Sequence, residues 1–130
     1  MSTVIVGYTP APQSRAALAS GIREARRRNA QLVVVNASTG DRYTDAAFAS
    51  AEQIDEVRAL LVESGVTHEI QQPIRGHDGA DEILAAAEDL DAELIVIGVR
   101  RRTAVGKLLL GSTAQNIIMR ASCEVLAVKA

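Results

Sequence analysis

Residues 94–113 read Leu-Ile-Val-Ile-Gly-Val-Arg-Arg-Arg-Thr-Ala-Val-Gly-Lys-Leu-Leu-Leu-Gly-Ser-Thr. Residues 94–97 are the most apolar run of the chain and predict a strand that ends at Gly98. Helical spacing begins at Ser112, so a basic loop joins this strand to a helix. A strand, a loop and a helix in that order are the repeating unit of an α/β fold.

The same alternation extends in both directions along the chain. Strands are predicted at residues 4–8, 32–35, 68–75, 94–97 and 125–128. Helices are predicted at 14–28, 80–90 and 112–121, and in a segment that follows a loop at 38–44 and ends at Ser64, before Gly65. Because no linker or repeat interrupts this order, we predict one α/β domain over residues 1–130, with a parallel five-stranded sheet covered by helices on both faces.

The amino-acid composition argues against some classes of binding partner. Hydrophobic residues make up 48% of the chain and aromatic residues only 2%, so the core must be aliphatic. The formal net charge is −2. Because aromatic rings are few and the chain has no basic excess, the composition argues against binding to nucleic acid or to a membrane surface.

The cysteine content and the first residues predict the compartment. A single cysteine, Cys123, excludes an internal disulfide and is typical of a reducing environment. Residues 1–7 contain no basic segment before an apolar run, and no apolar run approaches the ~20 residues of a membrane span. We therefore expect a cytoplasmic protein. With one cysteine and two histidines, the chain also lacks the ligands for a structural zinc cluster.

The loop after residues 94–97 carries the chemistry of an anion site. It runs from the carboxyl end of a strand to a helix N-terminus, which favours negative charge. Gly98 and Gly111 allow close backbone approach, and Ser112 and Thr113 offer hydroxyl groups. Cationic charge comes from Arg100, Arg101, Arg102 and Lys107. The same residues are also typical of an ordinary helix N-cap beside a solvated basic loop, and they form neither a P-loop nor a Gly-x-Gly-x-x-Gly motif.

The order of elements and this loop resemble the universal stress protein family, small α/β proteins with a fold like that of the adenine-nucleotide α-hydrolases. The resemblance covers essentially the whole chain. Its most specific part is a nucleotide signature of a glycine, two residues, a glycine, nine residues and then Gly-Ser or Gly-Thr. Gly98, Gly111 and Ser112 match its first and last positions. Residues 123–128 resemble the family's closing strand, with Glu124 where a proline is usual.

The resemblance implies a sensor or binding module of the stress response that binds ATP or another adenine nucleotide, with Mg²⁺ as a companion cation. It also implies the strand order 3-2-1-4-5 and a site in the loops after the first, second and fourth strands. The loop residues implied in binding phosphates and ribose are Gly98, Val99, Arg100, Arg101, Gly111, Ser112 and Thr113. Thr9 and Ala37 would border the adenosine, and Tyr8 is the ring expected to pack on a base.

Two residues depart from the family pattern. Arg101 stands where the signature has its second glycine, and Thr9 stands where the nucleotide-binding branch usually carries an aspartate. The arginine either blocks the approach of a phosphate or replaces a backbone contact with a bidentate one. Threonine offers a hydroxyl but no carboxylate. A dimeric interaction protein of the same fold that has lost its nucleotide is therefore the alternative hypothesis.

The last strand, Val125–Val128, predicts the partner. In the strand order that the resemblance implies, this strand lies at the edge of the sheet, and an uncovered apolar edge favours pairing with a copy of itself. Because a two-fold arrangement closes on itself, we expect a homodimer, as the resemblance also implies.

No residue is predicted to be catalytic, and slow ATP hydrolysis is the most that we expect. His77 and Asp78 follow the third strand without a nucleophile motif, and Asp78 is the type of residue that caps a helix. A third hypothesis, a phosphoryl-transfer enzyme or phosphatase, needs a carboxylate near the basic loop, and the sequence places none there. His68 is predicted to be an exposed strand position, and Cys123 a small buried hydrophobic residue.

Overall fold

The computed structural model describes residues 1–37, 49–73, 78–100 and 110–130. The strands in these ranges are β1 (Thr3–Gly7), β2 (Gln31–Val35), β3 (His68–Gln71), β4 (Leu94–Val99) and β5 (Glu124–Lys129). The helices are α1 (Pro12–Arg28), α2 (Ala51–Ser64), α3 (Gly79–Asp89) and α4 (Ser112–Arg120). Strands and helices alternate along the chain, as predicted.

The sheet confirms the α/β fold and the strand order that the resemblance implies. The strands form one sheet in the order β3-β2-β1-β4-β5, and every neighbouring pair is parallel. Val4 of β1 pairs with Leu32 on one side and with Leu94 on the other, so β1 is central. The chain continues from β1 toward one edge and from β4 toward the other, so the connections diverge between these two strands.

Three element ends differ from the predictions by two residues or more. β3 ends at Gln71, before the predicted Arg75, because Pro73 has no N–H for a strand ladder; residues 74–77 lie outside the described residues. α1 begins at Pro12, ahead of the predicted Ser14, because proline fits the first helical position, where an N–H would have no partner. β4 continues through Gly98 to Val99.

Alternating strand residues build a core layer on each face of the sheet. The layer that includes residues of α1 and α2 contains the strand residues Val4, Val6, Leu32, Val34, Leu94 and Val96. The layer that includes residues of α3 and α4 contains Ile5, Val33, Val35, Ile95, Ile97 and Val99. Because the three central strands are buried on both faces, their sequences are continuously apolar rather than alternating.

The ends of α2 follow the expected capping chemistry. Gly65 ends the helix as predicted, with a φ of +76° that favours glycine. At the other end, Ser50 and Gln53 exchange side chain to backbone hydrogen bonds in a capping box. Local sequence therefore defines both ends of this helix.

Candidate functional site

A cavity of about 590 Å³ opens at the carboxyl ends of β1 and β4. The connections of these neighbouring strands diverge, and this leaves a cleft of the kind in which ligands bind in open α/β sheets. The helices α1, α3 and α4 begin at its rim, where Gln13, Gly79 and Ser112 line it. The cavity is therefore built from strand ends and helix N-termini.

This cavity brings together nearly all the residues predicted to bind a nucleotide. Its lining includes Tyr8, Thr9, Ala37, Gly98, Val99, Arg100, Gly111, Ser112 and Thr113. Arg101, which was also predicted, lies outside the described residues, as do Arg102, Lys107 and His77. The loops after β1, β2 and β4 thus contribute to one site together with the start of α4.

Thr9 is held at the junction of β1 and α1. Its backbone N–H donates to the Ser14 Oγ at 3.0 Å, and its own hydroxyl lies 3.1 Å from the same oxygen. Ser14 is 4% exposed and also lines the cavity. Two hydroxyl groups therefore stand where the family pattern has a carboxylate, and they add no charge to this wall.

Tyr8 borders the cavity, but its side chain belongs to the core. The residue is 6% exposed and is part of the core layer that includes Ala49 and Ile54. Burial raises the pKa of the Tyr8 hydroxyl, and the nearby Arg15 guanidinium opposes this shift. The phenol is therefore neutral at physiological pH, and little of its ring is left to stack on a base.

Asn36 links the strand ends beneath the cavity. It is fully buried, and its Nδ2 donates to the carbonyl oxygen of Tyr8 at 2.8 Å. Its Oδ1 accepts from the Ala49 N–H at 2.8 Å and from the Gln72 Nε2 at 3.0 Å. One side chain thus joins the segments that follow β1 and β3 to the segment that precedes α2. Its neighbour Ala37 is the residue that lines the cavity.

The two glycines of the signature are explained by different physical causes. A Cβ atom on Gly98 would collide with the backbone carbonyl of Gln13, so α1 can lie against β4 only because residue 98 has no side chain. A Cβ atom on Gly111 would meet no atom of the described residues within 4 Å, and the backbone there is extended, with φ −69° and ψ 167°. The fold therefore requires the glycine at 98 but not the one at 111, where an approaching ligand is the better reason.

The start of α4 presents positive electrostatic potential to the cavity. At the N-cap residue Gly111, no side chain of the described residues makes a capping hydrogen bond, and the first turn contains no acidic residue. Ser112 and Thr113 are exposed and line the cavity, so their hydroxyls and the first backbone N–H groups are placed to donate to an anion. Arg100, exposed at the end of β4, adds a cationic side chain.

The apolar part of the lining was not predicted from the sequence. Val35, Ile83, Ile97 and Ile117 line the cavity in addition to contributing to the core. The apolar runs at 32–35 and 94–97 predict buried positions for Val35 and Ile97, and that prediction is confirmed. Nothing in these runs indicates that one end of the core borders an open cavity.

Asp78 is both the predicted helix cap and an unpredicted part of the site. Its Oδ1 accepts a hydrogen bond from the Asp81 N–H at 2.9 Å, which confirms the capping role. Asp78 also lines the cavity together with Ser112 and Thr113. A carboxylate therefore lies near the start of α4, where the sequence analysis placed none.

His68 and Cys123 do not line this cavity. The Nδ1 of His68 lies 2.9 Å from the Val66 carbonyl oxygen, and the residue is half-buried rather than exposed as predicted. Cys123 is half-buried against the layer beneath α3 and α4, and burial raises the pKa of its thiol. Across residues 1–37, 49–73, 78–100 and 110–130, no three His, Cys, Asp or Glu side chains are grouped to hold a metal ion.

None of the helices in the described part of the chain is long and apolar enough to cross a bilayer.

Comparison with known proteins gives matches over nearly the whole chain. The model of the family described as "Universal stress protein family" matches residues 1–129. A universal stress protein of Mycolicibacterium smegmatis is 50% identical over 126 residues, which cover 97% of this chain and 96% of that protein.

Solved structures agree with the sequence matches. A universal stress protein from Archaeoglobus fulgidus superposes with a TM-score of 0.82 at 28% identity, covering 99% of this chain and 98% of its own. A universal stress protein in complex with cAMP superposes with a TM-score of 0.70 at 25% identity, covering 98% and 96%. With a family match from end to end and a relative identical at half of its positions, this chain belongs to the universal stress protein family.

Proposed function

We propose that this chain is a binding module of the stress response that holds an adenine nucleotide in the cavity between β1 and β4. The observation that carries the proposal is the uncapped start of α4, where Gly111, Ser112 and Thr113 line the cavity. Backbone N–H groups, hydroxyls and the helix dipole together stabilise a phosphate at such a position, and Arg100 adds charge.

The remainder of the cavity suits a nucleoside. Its volume of about 590 Å³ lies within the range of small-molecule sites, and Val35, Ile83 and Ile97 offer apolar walls to a base. Because Tyr8 is largely buried, the base would be held by aliphatic side chains and backbone rather than by stacking on a ring. The cAMP complex of a related universal stress protein supports an adenine ligand.

ATP is one candidate within this class, and Mg²⁺ is proposed only as its companion. Mg²⁺ usually binds through phosphate oxygens and one or two carboxylates, so it would enter with a nucleotide that carries several phosphates. We infer that catalysis is at most slow hydrolysis of ATP. A cytoplasmic location is proposed from the composition, in which a single cysteine is typical of a reducing compartment.

We also propose that the protein forms a homodimer through β5. This strand lies at an edge of the sheet, and its Leu126 is 36% exposed. On α4, which precedes β5 in the chain, Ile118 and Met119 are also exposed, by 40% and 82%. An apolar edge of this kind is stabilised when a second strand covers it, and two identical edges satisfy each other about a two-fold axis.

Equilibrium dialysis of ligand-free protein against labelled ATP, with and without Mg²⁺, tests nucleotide binding. We expect saturable binding that unlabelled AMP displaces. Thr113→Val removes a hydroxyl from the cavity with little change in shape and should weaken binding about tenfold. Thr67→Val, at an exposed position before β3, is the matched control and should bind as the unaltered protein does.

A different outcome would favour the alternative function. If no nucleotide binds at millimolar concentration, while the protein still forms dimers, the chain is an interaction protein that has lost its ligand. Thr9 and Arg101 motivate this alternative, because both depart from the family's nucleotide pattern.

A further inference from the structure

The helices that begin at the cavity differ in charge. α1 and α4 have no acidic residue in the first turn and no side-chain hydrogen bond at the N-cap, so neither helix carries an acidic residue of its own at its positive end. α3 is capped by Asp78 and carries Asp81 and Glu82 in its first turn. Its helix dipole is therefore already balanced by acidic side chains.

The start of α3 lies directly beside the start of α4. A Cβ atom on Gly79 would lie 3.8 Å from Cγ2 of Thr113, in the first turn of α4. An ion pair of 2.9 Å joins Asp81 to Arg120, the last residue of α4, so the first turn of α3 lies alongside α4. Asp81 and Glu82 are absent from the cavity lining, whereas Asp78 is part of it. Of the three acidic residues at the start of α3, only Asp78 therefore faces the space that a ligand would occupy.

We propose that Asp78 is a specificity-determining residue that selects nucleotides by their number of phosphate charges. This inference rests on the proposed function of the same cavity. A carboxylate beside the α4 anion position repels each added negative charge, and repulsion is stronger in a cleft than in bulk water. Asp78 therefore lowers the affinity for nucleotides with many phosphate charges more than for nucleotides with few. Without this carboxylate, the same cavity would discriminate less between them.

The ligand series adenosine, AMP, ADP and ATP tests this inference, because it adds charge without changing the base or the sugar. Asp78→Asn removes the charge and keeps a side-chain oxygen that can cap α3, so the fold should be retained. Affinities are measured by calorimetry at low salt and without Mg²⁺. The variant should bind ATP about tenfold and AMP about threefold more tightly than the unaltered protein does. Its affinity for adenosine should be unchanged. Raising the salt concentration should reduce these differences.

Asp89→Asn is the matched control. It removes the same charge from the last residue of the same helix, about 15 Å from Asp78. This control should leave all four affinities unchanged, and melting curves of both variants report whether the fold is intact.

The possible outcomes separate this inference from the proposed function. If nucleotides bind but Asp78→Asn leaves their affinity ratios unchanged, the inference is wrong and the proposed function stands. A uniform loss of affinity that includes adenosine would mean that Asp78 accepts a hydrogen bond from the nucleoside. Each of these results overturns charge selection. If neither protein binds any of the four compounds, the proposed function fails, and this inference fails with it.

Discussion

Gly98 and Gly111 show how one sequence motif can contain two kinds of constraint. Both match the same signature, and both were predicted to let a ligand approach the backbone. The neighbour of Gly98 is instead the backbone of Gln13, because α1 begins where β4 ends. A Cβ atom on Gly111 would have no neighbour within 4 Å among the described residues. Identical residues in one motif thus serve packing at one position and the candidate site at the other.

Substitution of the two glycines by alanine should separate these roles. Gly98→Ala places a methyl group against the Gln13 carbonyl and should lower the free energy of unfolding by about 3 kcal/mol. Gly111→Ala should change it by less than about 0.5 kcal/mol, because loss of a favourable N-cap residue is offset by a less flexible unfolded chain. Urea denaturation measures both values.

The affinity for ATP is the second property in which the two glycine substitutions should differ. Gly111→Ala should weaken ATP binding although its stability is unchanged, because the new methyl group lies in the cavity lining. Equal destabilisation by the two substitutions would contradict the assignment of Gly98 to packing. Unchanged ATP affinity in Gly111→Ala would contradict the assignment of Gly111 to the site.

β5 differs from the other strands in what covers it. The three central strands are buried on both faces, whereas Leu126 and Ala127 of β5 are exposed. Among the strands that the structure describes, β5 pairs only with β4. β3, the other edge strand, is short and carries the polar residues His68, Glu69 and Gln71, which discourage pairing with another chain. The two edges of the sheet therefore differ in their tendency to associate.

A lysine in β5 should prevent the proposed dimer. Leu126→Lys introduces a charge at the exposed edge, and we expect the dissociation constant of the dimer to rise about a hundredfold. Val62→Lys is the control, because Val62 on α2 is 65% exposed and lies outside the proposed interface. Light scattering coupled to size exclusion gives the mass of each species. A monomeric unaltered protein, or a similar effect of both lysines, would rule out β5 as the interface.

The candidate site draws on the whole molecule. Its lining comes from β1, β2 and β4, from the segments that follow these strands, and from α1, α3 and α4. These segments come together only when the sheet and both helical layers have formed. A ligand in the cavity therefore binds the native state and not the unfolded chain, so binding and folding are thermodynamically linked.

Nucleotide should accordingly raise the melting temperature. At a free ATP concentration 100 times the dissociation constant, the free energy of unfolding rises by ~2.7 kcal/mol, which corresponds to an increase of roughly 10 °C for a chain of this length. Differential scanning calorimetry with increasing ATP measures the shift, and Thr113→Val should need more ATP for the same shift. A melting temperature that is independent of ATP at millimolar concentration would support the nucleotide-free interaction protein.

Predictions from the sequence were most accurate where neighbouring residues carry the signal. The apolar runs at 32–35 and 94–97 predicted buried parallel strands, and Gly65 and Asp78 predicted helix ends, because strand burial and capping depend on residues close in the chain. The predicted end of β3 was wrong because Pro73 outweighed the apolar pattern. His68 was predicted to be exposed but is half-buried, and its Nδ1 lies 2.9 Å from the carbonyl oxygen of Val66.

Local patterning accounts for the order of strands and helices, the aliphatic core and a basic segment that leads to a helix N-terminus. Contacts between distant segments account for the remainder. The ring of Tyr8 lies in the core beneath α1 and α2, the amide of Asn36 joins three segments, and Asp78 reaches the wall of the cavity near Thr113. These arrangements depend on how the helices pack against the sheet. Residues far apart in the chain come into contact only when that packing has formed.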